Sequence, residues 1–134
     1  MKSYLGYKIK DSGERRVYDT GAQRDRSVGK GRYDLDSPYT AEALAIHYEK
    51  GALKYGDRNW EKGQPLSWYL DSQIRHLNKF RMNLWDENHL IASHWNSNCL
   101  VDTWIKIERG ILPASLNDLP AYEKKFPELK IKRF

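Results

Sequence analysis

Apolar residues recur at helical spacing along three stretches of this 134-residue chain. Leu44, Tyr48 and Ala52 share one side of a stretch beginning at Thr40, and Leu70, Ile74 and Leu77 share one side of a second that runs to about Phe80. A third, longer stretch carries Trp95, Leu100 and Trp104 and continues to Arg109. Start and stop signals frame each stretch. Thr40, Ser67 after Pro65, and Asp86 offer capping side chains, while Gly56 stops the first stretch and Gly110 with Pro113 ends the third. The pattern predicts helices near 40–55, 67–81 and 86–109.

The rest of the chain reads differently. Aromatic and branched residues over Tyr4–Lys10 and Arg15–Tyr18 flank an Asp11-Ser12-Gly13 turn, which predicts a short hairpin. From Asp19 to Pro38 the chain is rich in Gly, Asp, Ser and Arg without a sustained period, the pattern of an extended basic loop. Its GAQRDRSVGKG fails as a phosphate loop, because Gly21 and Gly29 are too far apart and Gly31, not Ser or Thr, follows Lys30. Beyond Gly110 three prolines leave room only for a short helix near 121–126, then a basic tail. The expectation is a mainly all-α helical bundle with a short N-terminal β-hairpin. One domain spans 1–134: a hairpin and basic loop to 38, a helical core over 39–110, and a tail over 111–134.

The polar positions of the helices carry more information than the apolar ones. Glu42 and Glu49 lie two turns apart near one face of the first helix. On the second, Asp71, Arg75 and Asn78 form a stripe with His76 beside it; on the third, His89, Ser93, Asn96 and Thr103 form another. Three such stripes predict a polar pocket between packed helices, a common place for a ligand. Glu49, Asp71, Asp86 and Glu87, with His89, offer oxygen-rich ligation suited to Mg2+ or Mn2+. His89 and His94 are five apart and point to different sides of a helix, which disfavours a clamp made by those two.

Composition limits the alternatives. Hydrophobic residues at 40% and charged residues at 31% describe a globular chain. No apolar run approaches the roughly 20 residues needed to cross a bilayer, and no apolar segment of signal-peptide length follows Met1, so the expected location is cytoplasmic and away from membranes. The lone Cys99 has no disulfide or zinc-motif partner and reads as a small core residue. The net charge of +5 is concentrated at the ends: nine Lys or Arg fall in the first 32 residues and five in the last eleven. Basic flanks attract polyanions, yet no nucleic-acid motif accompanies them, and a nucleic-acid partner is not expected.

The segment GALKYGDRNWEKG, Gly51 to Gly63, gathers Lys54, Tyr55, Arg58, Asn59 and Trp60 at the end of the first helix and in the turn after it. With TGAQRD…GKGRYDL…SP, YEKGALKYGDRNWEKG, DSQIRHLNKF, the DE pair and histidine near 86–89, and WN, the chain resembles the phage-rich family of dATP/dGTP diphosphohydrolase N-terminal domains. The resemblance covers about Asp19 to Asn96. It implies an all-α relative of the MazG-type nucleotide pyrophosphatases, which usually form dimers or tetramers. It also implies that Lys54, Tyr55, Asn59, Trp60, Arg75, His76, Asp86, Glu87, His89 and Asn96 occupy the recurrent blocks. In that light Trp60 or Tyr55 is expected to stack on a base and Lys54 or Arg58 to face phosphate, with Arg75 and Asn96 completing a nucleotide site.

Two departures from the family pattern bear on catalysis. The E-x-x-E and E-x-x-D pairs that usually hold magnesium in MazG-type enzymes are absent, and the insert between the acidic pair and the histidine is compressed to Asp86-Glu87-Asn88-His89. Two functions stay open. One is a metal-dependent diphosphohydrolase that converts a purine (deoxy)nucleoside triphosphate to monophosphate and pyrophosphate. In it, Glu49, Asp71 and Asp86 or Glu87 hold the cation, and His76 or His89 assists proton transfer. The other is a protein that sequesters a nucleotide, such as a host immune signal, in the same pocket without cleaving it. A homo-oligomer is expected in either case.

Overall fold

The computed structural model describes residues 2–4 and 7–125. They divide into two compact units, Met1–Ser37 and Pro38–Phe134.

In the first unit, strand β1 (Lys2–Tyr4) pairs antiparallel with β2 (Tyr7–Ile9), and β3 (Arg15–Val17) with β4 (Gln23–Asp25). The expected hairpin between Tyr4–Lys10 and Arg15–Tyr18 is therefore replaced by two hairpins. The reason lies in the side chains of the supposed turn. Asp11 accepts from the Gly13 amide at 2.9 Å and from both terminal nitrogens of Arg15 at 2.8 and 2.9 Å. Arg15 and the Gly13 amide hold that carboxyl far below the usual range. The Ser12 hydroxyl donates to Asp25. These contacts turn 11–13 onto Arg15 and tie it to the end of β4, and Gly21, at φ 83°, closes the β3–β4 turn by donating to the Tyr18 carbonyl at 2.8 Å. The segment expected as loop thus holds β4 and a 3-10 turn at Tyr33–Leu35.

The second unit is helical: α1 (Pro38–Tyr55), α2 (Leu66–Arg81), α3 (His89–Glu108) and the short α4 (Tyr122–Lys125). Helix α1 begins two residues before Thr40, with Pro38 at the first position, where its missing N–H costs nothing. Gly56, at φ 89°, ends it and donates to the Ala52 carbonyl at 2.8 Å. Ser67 does not cap α2 with its own side chain; it lies inside the first turn. There Asp118 accepts from its amide at 2.9 Å and its hydroxyl at 2.5 Å, so the anion for the helix start arrives from 51 residues away. At the other end Asn83, at φ 58°, closes the helix, with Asn83 N–H on the Phe80 carbonyl and Leu84 N–H on the Lys79 carbonyl. Asp86 does not cap α3 either. Asn88 does, accepting from the Ile91 amide at 3.1 Å, which leaves the Asp86 carboxylate available to His89. The end of α4 expected at Phe126 and the basic tail beyond it lie outside the described residues.

Helix α3 is the hub, with α2 packed along it and α1 and the 3-10 turns at Asn59–Lys62 and Ala114–Leu116 touching it. Its inward face is polar: His89, Ser93, Asn96 and Thr103 are all buried beside Ala92 and Cys99, the predicted stripe turned to the inside. Several of its larger apolar residues face the other way, and Val101 and Trp104 each keep about half of their surface in solvent. Such a face is stable only when its polar groups are bonded. Among the described residues every buried side-chain nitrogen and oxygen has a partner. Leu66 and Tyr69 of α2 complete the apolar core, while α1 buries no residue fully. Among the described residues no helix is long and apolar enough to cross a membrane.

Candidate functional site

A cavity of about 960 Å³ opens between the second half of α1, the loop that follows it, α2 and α3. Its volume lies within the roughly 300–1,000 Å³ of small-molecule sites. Each wall follows from local structure. At the end of α1, His47, Tyr48, Glu49 and Tyr55 line the cavity. The loop contributes Arg58, Asn59 and Trp60 from its 3-10 turn, then Gln64. Trp68, Asp71, Ser72 and Arg75 recur at i, i+3, i+4 and i+7 on α2 and so share one face of it, and Trp95 and Asn96 close the cavity from α3.

The loop is held tightly. Arg58 adopts the left-handed region at φ 58°, uncommon for a side chain without special local bonding, and its guanidinium pairs with Glu61 at 2.6 Å. Gly63, at φ 93°, lies so close to Leu112 and Leu116 that an added Cβ would meet Leu116 at 2.9 Å. Trp60 packs against Tyr48 with ring centroids 5.7 Å apart, carries the Lys106 ammonium 5.4 Å from its own centroid, and accepts through its carbonyl from the Tyr69 hydroxyl at 3.3 Å. Its first role is to pin the loop to the bundle. Tyr48 and Tyr69 in turn pack edge-on to Trp95, and Asn98 donates to the Tyr48 hydroxyl at 2.5 Å. Burial raises the Tyr69 phenol to about 12 and the Cys99 thiol to about 12, so both stay protonated and neither is a nucleophile at neutral pH. Cys99 is fully buried, as expected of a core residue.

The open part of the cavity is aromatic and charged. Trp68 leaves 65% of its surface in solvent and Tyr55 63%, so both rings are available to a flat ligand. Arg75 bonds Ser72 at 3.1 Å through one nitrogen and keeps further donors, and Arg58 is likewise exposed. Glu49 and Asp71 place two exposed carboxylates on the same lining. His47 packs against Trp95 with centroids 5.5 Å apart, and burial lowers its pKa against the opposing pull of Glu87.

A second group of chemical side chains gathers where α2 ends and α3 begins. The Nδ1 atoms of His76 and His89 are 3.0 Å apart, and Glu87 Oε1 lies 3.3 Å from the first and 3.7 Å from the second. On its far side His89 donates from Nε2 to Asp86 at 2.7 Å. Burial lowers the His76 pKa, with Glu87 opposing and Arg75 assisting.

The predicted residues therefore fall in two places. Tyr55, Arg58, Asn59, Trp60, Arg75 and Asn96, with Glu49 and Asp71, line the cavity, although Asn96 spends its amide on the Ala92 carbonyl at 2.8 Å. His76, Asp86, Glu87 and His89 do not line it, so the four carboxylates expected around one cation form no single group. Lys54 is also outside the lining; its ammonium sits 5.1 Å from the centroid of the Tyr55 ring. His47, Trp68, Ser72 and Trp95 were missed. For Trp68 and Ser72 a signal existed, since both share the α2 face of Asp71 and Arg75. For His47 and Trp95 only the packing of α1 on α3 makes the site.

Compared with known protein families, the chain matches the one described as dATP/dGTP diphosphohydrolase, N-terminal, over residues 20–110. The matched span contains the whole cavity lining and the imidazole group. Searches of curated proteins and of solved structures found no match.

Proposed function

The chain belongs to the dATP/dGTP diphosphohydrolase N-terminal family, and from that premise we propose that the cavity takes a purine (deoxy)nucleoside triphosphate and that the protein hydrolyses it to monophosphate and pyrophosphate. One observation carries the reading: exposed aromatic rings, two guanidinium groups and two carboxylates line a single cavity. The base stacks on Trp68 or Tyr55, and Arg58 and Arg75 bind the phosphates through charge-assisted hydrogen bonds. Trp60 supports the loop instead of stacking. Glu49 and Asp71 suit a hard cation, because magnesium and manganese use one or two carboxylates together with substrate phosphates. Such an ion, when bound, supplies charge neutralisation and a more acidic water. His47, kept neutral by burial, accepts the proton of the water that attacks the α-phosphorus. The bond from that phosphorus to the bridging oxygen breaks, and pyrophosphate leaves with the electron pair.

A second reading, capture without cleavage, has its own support. Among the described residues Glu49 and Asp71 join no group of three metal-ligating side chains, and ionic and stacking contacts suffice to retain a nucleotide. In either reading the protein works in the cytoplasm, that of a host cell if a phage encodes it, and assembles with copies of itself. Self-association is favoured by the half-exposed Ile46, Val101 and Trp104 and the more exposed Leu53, apolar surface that a single helical unit leaves uncovered.

The test is to incubate the purified protein with dATP, dGTP, ATP and GTP in the presence of manganese and to assay both bound ligand and released monophosphate. Monophosphate formation supports the diphosphohydrolase. Retained, uncleaved nucleotide with every cation supports capture, and neither binding nor product overturns both.

A further inference from the structure

We propose that His76, Glu87 and His89 form a binding site for one transition-metal dication of the zinc class, with Asp86 as the positioning residue behind His89. The site is separate from the cavity lining and does not depend on the nucleotide reading. Its geometry is that of a coordination sphere. Around a tetrahedral ion with bonds of about 2.0–2.1 Å, neighbouring ligand atoms lie roughly 3.3–3.4 Å apart. The three ligand atoms here are 3.0, 3.3 and 3.7 Å apart, an irregular triangle that brackets that spacing.

The protonation pattern points the same way. The Asp86 carboxylate can only accept, so His89 carries its proton on Nε2 and turns the lone pair of Nδ1 toward His76 and Glu87. A carboxylate on the far nitrogen of a ligating imidazole is the recurrent device that fixes tautomer and ring orientation at metal sites. His89 has no exposed side-chain surface and His76 only 12%, so two ring nitrogens face one another in a nearly dry position. Without a cation one nitrogen must hold a proton for the other. With one, both lone pairs meet the ion. Glu87, half exposed, provides the third ligand and the way in. Two nitrogens and one oxygen select zinc, cobalt or nickel over magnesium and calcium, which require oxygen-rich shells. Three protein ligands leave a fourth position for water or a phosphoryl oxygen. This differs from the oxygen-rich Mg2+ or Mn2+ site expected of Asp86 and Glu87 from the sequence, because His76 supplies a nitrogen that spacing along one helix could not reveal.

The experiment is a Co2+ titration of the metal-free full chain in millimolar Mg2+, followed by visible absorption. One equivalent should produce the intense bands of four-coordinate cobalt, and Zn2+ should displace it. Asp86→Asn should weaken binding about 10–100-fold, and His76→Gln or Glu87→Gln should remove the four-coordinate spectrum. Because Glu87 and Asp86 are exposed, their variants should keep the circular dichroism and melting temperature of the metal-free protein, which separates lost ligation from lost folding. Absence of a saturable one-to-one spectrum, or its persistence in both Glu87→Gln and His76→Gln, would overturn the proposal. Because the readout is the metal spectrum without nucleotide, its failure is distinct from failure of the nucleotide site.

Discussion

The cavity and the imidazole group share α2 and α3 but are built on opposite plans. In the cavity, charged and aromatic side chains stand in solvent and the support lies behind them, in the Trp60, Tyr48 and Trp95 packing. In the imidazole group the two rings are largely buried, His89 wholly and His76 nearly so, and the carboxylates are what stand mostly in water. A site for a large ligand needs an accessible wall on a rigid base, whereas a site for a bare ion needs converging lone pairs from which water is largely excluded. The charge of Glu87 acts on both His47 and His76, so the two sites are linked electrostatically without sharing a residue.

The contrast breaks most sharply at the carboxylates. Glu49→Gln combined with Asp71→Asn should lower monophosphate release by about a hundredfold or more while leaving much of the nucleotide affinity, as expected when an interaction is made only in the transition state. Cobalt binding at the imidazole group should not change. Loss of both together would show that the two places act as one site. In a nucleotide-capturing protein the double substitution would change little, and calorimetry alone would show it.

Two tryptophans sharpen the comparison next. Trp60 is embedded between Tyr48 and Lys106, so Trp60→Ala should cost about 2–4 kcal/mol of stability, somewhat below a fully buried tryptophan, visible in a urea melt. Trp68 stands open, and Trp68→Ala should weaken nucleotide binding by about 1–3 kcal/mol without shifting that melt. Reversed outcomes would exchange their roles. A smaller effect is expected at the foot of the loop. Gly63→Ala forces a side chain into the left-handed region and against Leu116, so it should cost about 1–2 kcal/mol and reduce nucleotide affinity, again leaving the cobalt spectrum intact. The smallest effect is that of pH. His47 has a folded pKa below its ordinary 6.5, so the unfolded chain takes up a proton first as pH falls. Its contribution to stability is complete above about pH 6.5 and is lost on acidification through the folded pKa. Metal-free His47→Gln should therefore show a flatter dependence of melting temperature on pH between 7.5 and 5.

Helical periodicity and its glycine stops were legible in the sequence, whereas the caps at Asp86 and Ser67 and the turn at Asp11 were not. The three main helices, their stops at Gly56 and Gly110, the buried Cys99 and the polar stripe His89, Ser93, Asn96 and Thr103 follow from spacing and backbone preference within a single element. Periodicity fixes which residues share a face, because the helix repeat is set by the backbone. It does not fix what that face meets. Asp118 at the start of α2, the separate pairing of β3 with β4, Trp60 under Lys106 and the meeting of His76 with His89 each join residues from different segments. The carboxylates show this most directly. Glu49, Asp71, Asp86 and Glu87 are equivalent as sequence letters, and only the packing of α1, α2 and α3 assigns the first two to an open cavity and the last two to a pair of imidazoles. Coordination and ligand contacts act over a few ångströms in space, a distance that a linear order of residues does not contain until the helices are packed.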